Sequence, residues 1–256
     1  MRPNVLIVRT AGTNCDRELA HAFELAGGVT QTVHLNALVA DPQRFDEFDC
    51  VGFPGGFSYG DDIAAGRILA NRLRNRLWEP IRRAIGRGVP MIGICNGFQA
   101  LLKMGLLPDS KATGQAATLT TNRGGRFVDR WVGLAVPRQS CCIWTQGLGS
   151  LQLPIAHAEG RFDTADSQLP QRLEASGQVA LRYEAGGNPN GSRGDIAGIC
   201  DPSGLVLGLM PHPERYTDPW HHPTWTRCGK GQPKVQTTGL CLFRNALRYV
   251  TSQQVT

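Results

Sequence analysis

The chain has 256 residues, 41% hydrophobic and 19% charged, which suits one large domain with a buried core and excludes a disordered or fibrous chain. Net charge is +6, from 27 Lys and Arg against 21 Asp and Glu. The densest basic group (Arg72, Arg74, Arg76, Arg82, Arg83 and Arg87) lies on a helical stretch with no interleaved aromatic residues, so it reads as a solvated helix face and not as a nucleic-acid surface.

The first hundred residues alternate short apolar runs with helix-period runs. Residues 5–8, 30–35, 50–53 and 90–94 read as strands, and residues 16–26 and 63–87 as helices. Strands that are continuously apolar and separated by helices form a parallel sheet covered on both faces. Ligands in such sheets bind at the carboxyl ends of the strands, where residues 10–15, 54–61 and 95–96 fall. From about residue 118 the pattern changes to short strands: 126–136, 141–144, 154–158, 178–183, 196–200 and 205–210. Asp201-Pro202-Ser203-Gly204 is a tight turn that joins the last two into a hairpin. Residues 240–250 close the chain with helical spacing. No repeat or linker divides it, so residues 1–256 are expected to form a single domain.

No apolar stretch approaches the ~18–20 residues of a membrane span, and the run at 5–8 is too brief for a signal peptide, so a cytoplasmic location without membrane attachment is expected. Eight cysteines are too few for a disulfide scaffold. Their spacing carries no metal pattern, so no metal is expected. Cys15, Cys50, Cys200 and Cys241 read as reduced core thiols, and Cys141 and Cys142 as opposite faces of a strand.

Cys95 differs from the rest. It stands in Gly93-Ile94-Cys95-Asn96-Gly97, after an apolar run and before a helix-period run, which describes a strand-to-helix elbow of the kind that exposes a nucleophile. Two glycines suit such a turn, since side chains there would strike the neighbouring strand. A nucleophile needs a base and the base an orienting acceptor. Pro211-His212-Pro213-Glu214-Arg215 supplies both: the prolines favour an extended backbone, in which His212 and Glu214 share a face. Pro54-Gly55-Gly56-Phe57 offers backbone N–H groups free of side chains. The Gly56 N–H and that of Asn96, the residue after the thiol, are the natural oxyanion pair.

Together these stretches resemble the class I, triad-type glutamine amidotransferases. Gly12-Thr13-Asn14-Cys15-Asp16-Arg17-Glu18, Ala156-His157-Ala158-Glu159-Gly160-Arg161-Phe162 and Asn188-Pro189-Asn190-Gly191-Ser192 resemble the members that serve purine synthesis. The resemblance implies a flavodoxin-like α/β fold, an open parallel sheet flanked by helices with additional antiparallel strands. It implies Cys95 as nucleophile, His212 as proton shuttle, Glu214 as its orienter, Gly56 and Asn96 as the oxyanion hole, and Phe57 and Gln99 as glutamine-binding residues. Asn14–Arg17 and residues 188–192 are expected as pocket or partner-facing loops, with an ordinary turn equally open for the second. His157 and Glu159 are expected at the pocket rim or an interface, or in packing.

The resemblance also implies that glutamine is the substrate and that this subunit holds no cofactor. A separate synthetase subunit, with ATP and Mg, is expected to use the ammonia to amidate formylglycinamide ribonucleotide, and a small accessory subunit could join them. An amidotransferase subunit of another pathway and a non-catalytic, redox-sensing member of the fold are the alternatives. Residues 216–238 depart from shorter members as an insertion with Trp220, His221, His222, Trp225, Cys228 and Lys230. A single cysteine beside adjacent histidines makes a poor metal site.

Overall fold

The computed structural model describes residues 2–111, 114–227 and 239–253. In chain order the strands and helices are β1 (Asn4–Arg9), α1 (Asp16–Leu25), β2 (Val29–His34), α2 (Leu35–Ala40), β3 (Cys50–Phe53), α3 (Arg67–Arg76), α4 (Trp78–Gly86), β4 (Met91–Ile94) and α5 (Asn96–Lys103). There follow β5 (Ala117–Thr120), β6 (Val128–Ala135), β7 (Ser150–His157), β8 (Arg161–Thr164), α6 (Leu169–Ala175), β9 (Val179–Tyr183), β10 (Ile196–Cys200), β11 (Val206–Leu209) and α7 (Leu240–Gln253).

Nine strands form one sheet in the order β2-β1-β3-β4-β11-β10-β9-β6-β7. The first five are parallel and the rest antiparallel. The parallel half has the flavodoxin-like order, with its crevice where the chain reverses direction between β1 and β3. Every residue of β3, β4 and β11 is buried, as continuous apolar strands covered on both faces require. Helices flank the sheet in layers: α1 packs with α7, and α3 with α5. The expected fold class is what the chain adopts.

Several details differ from expectation. The helix read over 63–87 is two helices broken at Leu77, because Pro80 has no N–H to donate and its ring would strike the carbonyl one turn earlier. Residues 141–144 are not a strand but lead into a 3₁₀ turn over Ile143–Thr145, whose Trp144 Nε1 donates to the Leu205 carbonyl at 2.9 Å. Cys141 is exposed there and Cys142 buried. Strands β5 and β8, which pair with each other, and the short helices α2 and α6 had no clear periodic signal. The turn after β10 is as read: both Asp201 carboxylate oxygens accept backbone N–H groups, from Ser203 and Val206, and Gly204 takes the left-handed conformation.

Candidate active site

The loops after β1, β3, β4 and β11 meet at one end of the sheet, around a cavity of about 340 Å³. Its lining includes Asn14, Cys15, Gly56, Phe57, Cys95, Gln99, His157, Glu159, His212 and Arg215. Cys95 joins β4 to α5 at φ +51°, a left-handed conformation that a non-glycine residue holds only under constraint from its surroundings. A Cβ on Gly97 would strike the Phe53 carbonyl, and one on Gly93 would meet Leu101 and the Gly97 carbonyl, so the two glycines let the elbow close against its neighbours. The Cys95 N–H donates to the Leu209 carbonyl at 2.8 Å and its Sγ lies 3.8 Å from the Ala156 carbonyl oxygen.

His212 follows β11, the strand beside β4. Its N–H donates to the Pro154 carbonyl of β7 at 2.8 Å. Its Nδ1 lies 2.6 Å from Glu214 Oε1, and both side chains are almost fully buried. The backbone is not extended as the sequence reading has it: His212 (φ −106°, ψ 86°) leads into a 3₁₀ turn over Pro213–Arg215, and it is this turn that brings the two side chains together. Burial opposes charge on this imidazole, but the Glu214 carboxylate and the nearby thiols outweigh it and hold its pKa well above the ordinary histidine value. With Nδ1 committed to Glu214, Nε2 is the atom left to exchange a proton. It is buried and makes no hydrogen bond within normal limits, although the thiols of Cys95 and Cys15 both interact with the ring.

Gly56 has φ +141°, and a Cβ there would lie under 3 Å from the Gly12 carbonyl and the Asn14 nitrogen. Only glycine fits this bridge between the β1 and β3 loops. Asn96 opens α5, whose leading N–H groups have no partner within the helix. The Asn96 side chain accepts from Ser58 N at 3.1 Å and donates to Asp61 and Gln99. Gln99 is buried with both ends of its amide engaged, Nε2 donating to the Glu159 carbonyl at 2.7 Å. Phe57 stands half-exposed at the mouth with Phe127.

His157, at the end of β7, is buried against Gly160. Asn122 donates through Nδ2 to the carbonyls of Arg126 and His157, which leaves its Oδ1 to accept. His157 Nδ1 therefore carries the ring proton, donated to Asn122 Oδ1 at 3.1 Å. Burial first, and then the charge of His212, push its pKa down to about 4, so it is neutral at pH 7. Residues 188–192 do not line this cavity. Asn190 donates to the Gly160 carbonyl at 2.8 Å and Ser192 Oγ accepts from Phe162 N, so the turn buttresses the wall from behind. A second cavity, of about 660 Å³, opens between this turn and Arg123.

Residues 2–250 match the model of the CobB/CobQ-like glutamine amidotransferase domain. The phosphoribosylformylglycinamidine synthase subunit PurQ of Dehalococcoides mccartyi is 47% identical over 251 residues, 95% of this chain and 96% of its own. The subunit PurQ of Methanococcus maripaludis strain C7 is 37% identical over 266 residues, covering 96% and 97%. Among solved structures, PurLQS from Thermotoga maritima superposes with a TM-score of 0.76 at 32% identity, over 98% of this chain and 100% of that one. The chain belongs to the PurQ family of glutamine amidotransferases.

The amidotransferase site holds residues that the sequence reading did not single out. Asn122 and Phe127 lie in a stretch without any motif. Cys15 was read both as a core thiol and, within 14–17, as part of a pocket or partner-facing loop, and it lines the cavity. It is buried beside the triad, with Sγ 3.1 Å from Arg215 Nη2 and 3.2 Å from Asn14 Oδ1. In residues 216–227, His222 meets Trp131 edge to face and bonds Gln152, while Trp220 and Trp225 pack edge to face and remain exposed. Cys228 and Lys230 lie outside the described residues. Among the described residues no helix is long and apolar enough to cross a membrane.

Proposed function

We propose that this chain hydrolyses glutamine through a thioester on Cys95 and supplies the ammonia to a separate synthetase subunit. The observation that carries the reading is the buried His212–Glu214 pair facing the thiol of a strained elbow. His212 Nε2 takes the Cys95 proton and the thiolate attacks the side-chain carbonyl carbon of glutamine. The resulting oxyanion is met by the N–H groups of Gly56 and Asn96. The imidazolium gives its proton to the departing ammonia, leaving a γ-glutamyl thioester. Water, relieved of a proton by the same nitrogen, then cleaves the thioester to glutamate. Glu214 holds the ring so that Nε2 faces the thiol. Phe57 and Gln99 wall the glutamine pocket. The Gln99 amide is spent on Asn96 and Glu159, so it shapes the pocket more than it donates to substrate.

The relatives' name, phosphoribosylformylglycinamidine synthase subunit, supports the acceptor reaction, conversion of formylglycinamide ribonucleotide to the amidine in purine synthesis; we infer a synthetase partner that binds ATP and Mg and a small accessory subunit beside it. Residues 1–256 act as one cytoplasmic amidotransferase unit with an insertion at 216–238, and this subunit itself uses no cofactor. In the assembled complex, Cys95→Ala abolishes glutamine-dependent synthesis and leaves ammonia-dependent synthesis intact, because the synthetase chemistry does not involve the thiol. Loss of both activities together would make Cys95 structural and sink the assignment.

A further inference from the structure

Three metal-ligating side chains from opposite ends of the chain converge beneath the cavity. The Cys15 thiol, a ring nitrogen of His212 and a carboxylate oxygen of Glu214 lie within 4.8 Å of one another, and all three residues are buried. Glu214 Oε2 adds a second observation: it is buried with no hydrogen-bond partner, while Oε1 is held by His212 Nδ1. A carboxylate oxygen left without a partner at such depth is costly, and coordinating a cation relieves it. We propose that Cys15, His212 and Glu214 form a zinc(II) site, and that zinc bound there silences the thiol of Cys95.

The donor set of one thiolate, one imidazole and one carboxylate suits zinc, with a fourth position open toward the cavity. Tetrahedral zinc with ordinary bond lengths spaces its ligand atoms roughly 3.3–3.8 Å apart, so donors up to 4.8 Å apart close by about 1 Å, whereas His212 Nδ1 and Glu214 Oε1, at 2.6 Å, part by about as much. The metal takes the place of the proton between His212 Nδ1 and the Glu214 carboxylate and engages its free Oε2, and the Cys15 thiol releases its proton to solvent. The ring proton then resides on Nε2, where it blocks acceptance of the Cys95 proton. An imidazolium gives up one further proton, and no electrons change hands. Arg215, 3.1 Å from the Cys15 sulfur, opposes the cation, but Glu18 stands 3.4 Å from its Nε and offers it another anion. The binding claim stands on geometry alone, whereas the inhibitory claim rests on the proposed function.

Cobalt(II) titration of the full chain, with zinc(II) as competitor, reads the site without using activity. The expected result is a thiolate-to-cobalt charge-transfer band that one equivalent of zinc displaces. The band persists in Cys95→Ser and disappears in Cys15→Ser. Zinc affinity in Cys15→Ser falls at least about 100-fold, since a direct ligand is worth more than an outer-shell partner, itself worth roughly 10–100-fold. Should Cys15→Ser not melt as a folded protein, Glu214→Gln serves instead, with the band retained and zinc weakened about tenfold or more. A band that survives Cys15→Ser, or one lost with Cys95 instead, overturns the site. Glutamine hydrolysis that continues with zinc bound overturns the inhibition. A chain with the Cys15-dependent band but no glutaminase activity at all would instead remove the function proposed above and leave the metal site standing.

Discussion

At the scale of single residues, the triad divides its work unevenly, and substitutions should reveal it. His212→Ala removes the nitrogen placed to carry the proton both ways, so thioester formation falls by ~10²–10⁴-fold, the usual worth of a general acid–base group. Glu214→Gln costs less, because an amide oxygen can still accept from Nδ1, although it no longer offsets the imidazolium charge. Single-turnover trapping of the thioester separates the two, and equal rates in wild type and His212→Ala would remove the triad. His157 has a different consequence. Its folded pKa of about 4 lies below the ordinary 6.5, so between these values the unfolded chain binds a proton that the native chain refuses. Stability from this residue is present above pH 6.5 and is lost as pH falls toward 4, by on the order of 3 kcal/mol. His157→Gln cannot titrate, so its denaturation free energy declines less steeply over that interval. Parallel declines would show that the wild-type imidazole is not held neutral.

Sequence reasoning at the level of elements succeeded where one local rule governed and failed where distance in the chain mattered. The elbow could be read because Gly93 and Gly97 bracket a lone cysteine between an apolar run and a helical one. The His212–Glu214 pair could be read because two prolines confine four residues. The break at Leu77 was also signalled, by Pro80, but the apolar period continued across it and concealed it. The meeting of Cys15 with His212 could not be read for a different reason: its neighbours in sequence say nothing of His212, and the loops after β1 and β11 meet only because the sheet sets both at one end, with β3 and β4 between. The insertion shows the same division. Tyr216 and His222 fold onto Trp131, whereas Trp220 and Trp225 cover only each other. Apolar aromatic surface left in water is the material of binding hot spots. Replacing residues 219–238 with a short Gly/Ser linker, while sparing the buried Tyr216 and Thr217, is expected to leave the melting transition intact and weaken binding to the synthetase. Unchanged affinity by titration calorimetry would show the segment to be decoration.

The whole molecule joins a parallel half, which carries the proposed nucleophile, to an antiparallel half, which closes the cavity wall through β7. The hinge of this arrangement is β11: parallel to β4 on one side, antiparallel to β10 on the other, and followed at once by the proposed base, His212. Gly93 pairs with Gly208 and Ile94 with Leu209, and the Cys95 N–H itself bonds to the Leu209 carbonyl. The separation of thiol and imidazole is therefore a spacing of the sheet's own hydrogen-bond ladder, in its most buried strands, and not a property of mobile loops. Partial opening of the surface can alter glutamine entry or partner docking without moving the two groups apart. In urea, intrinsic reactivity of Cys95 toward a small electrophile should then persist until the sheet itself melts. The midpoint for its loss should coincide with the midpoint of global unfolding measured by far-ultraviolet circular dichroism.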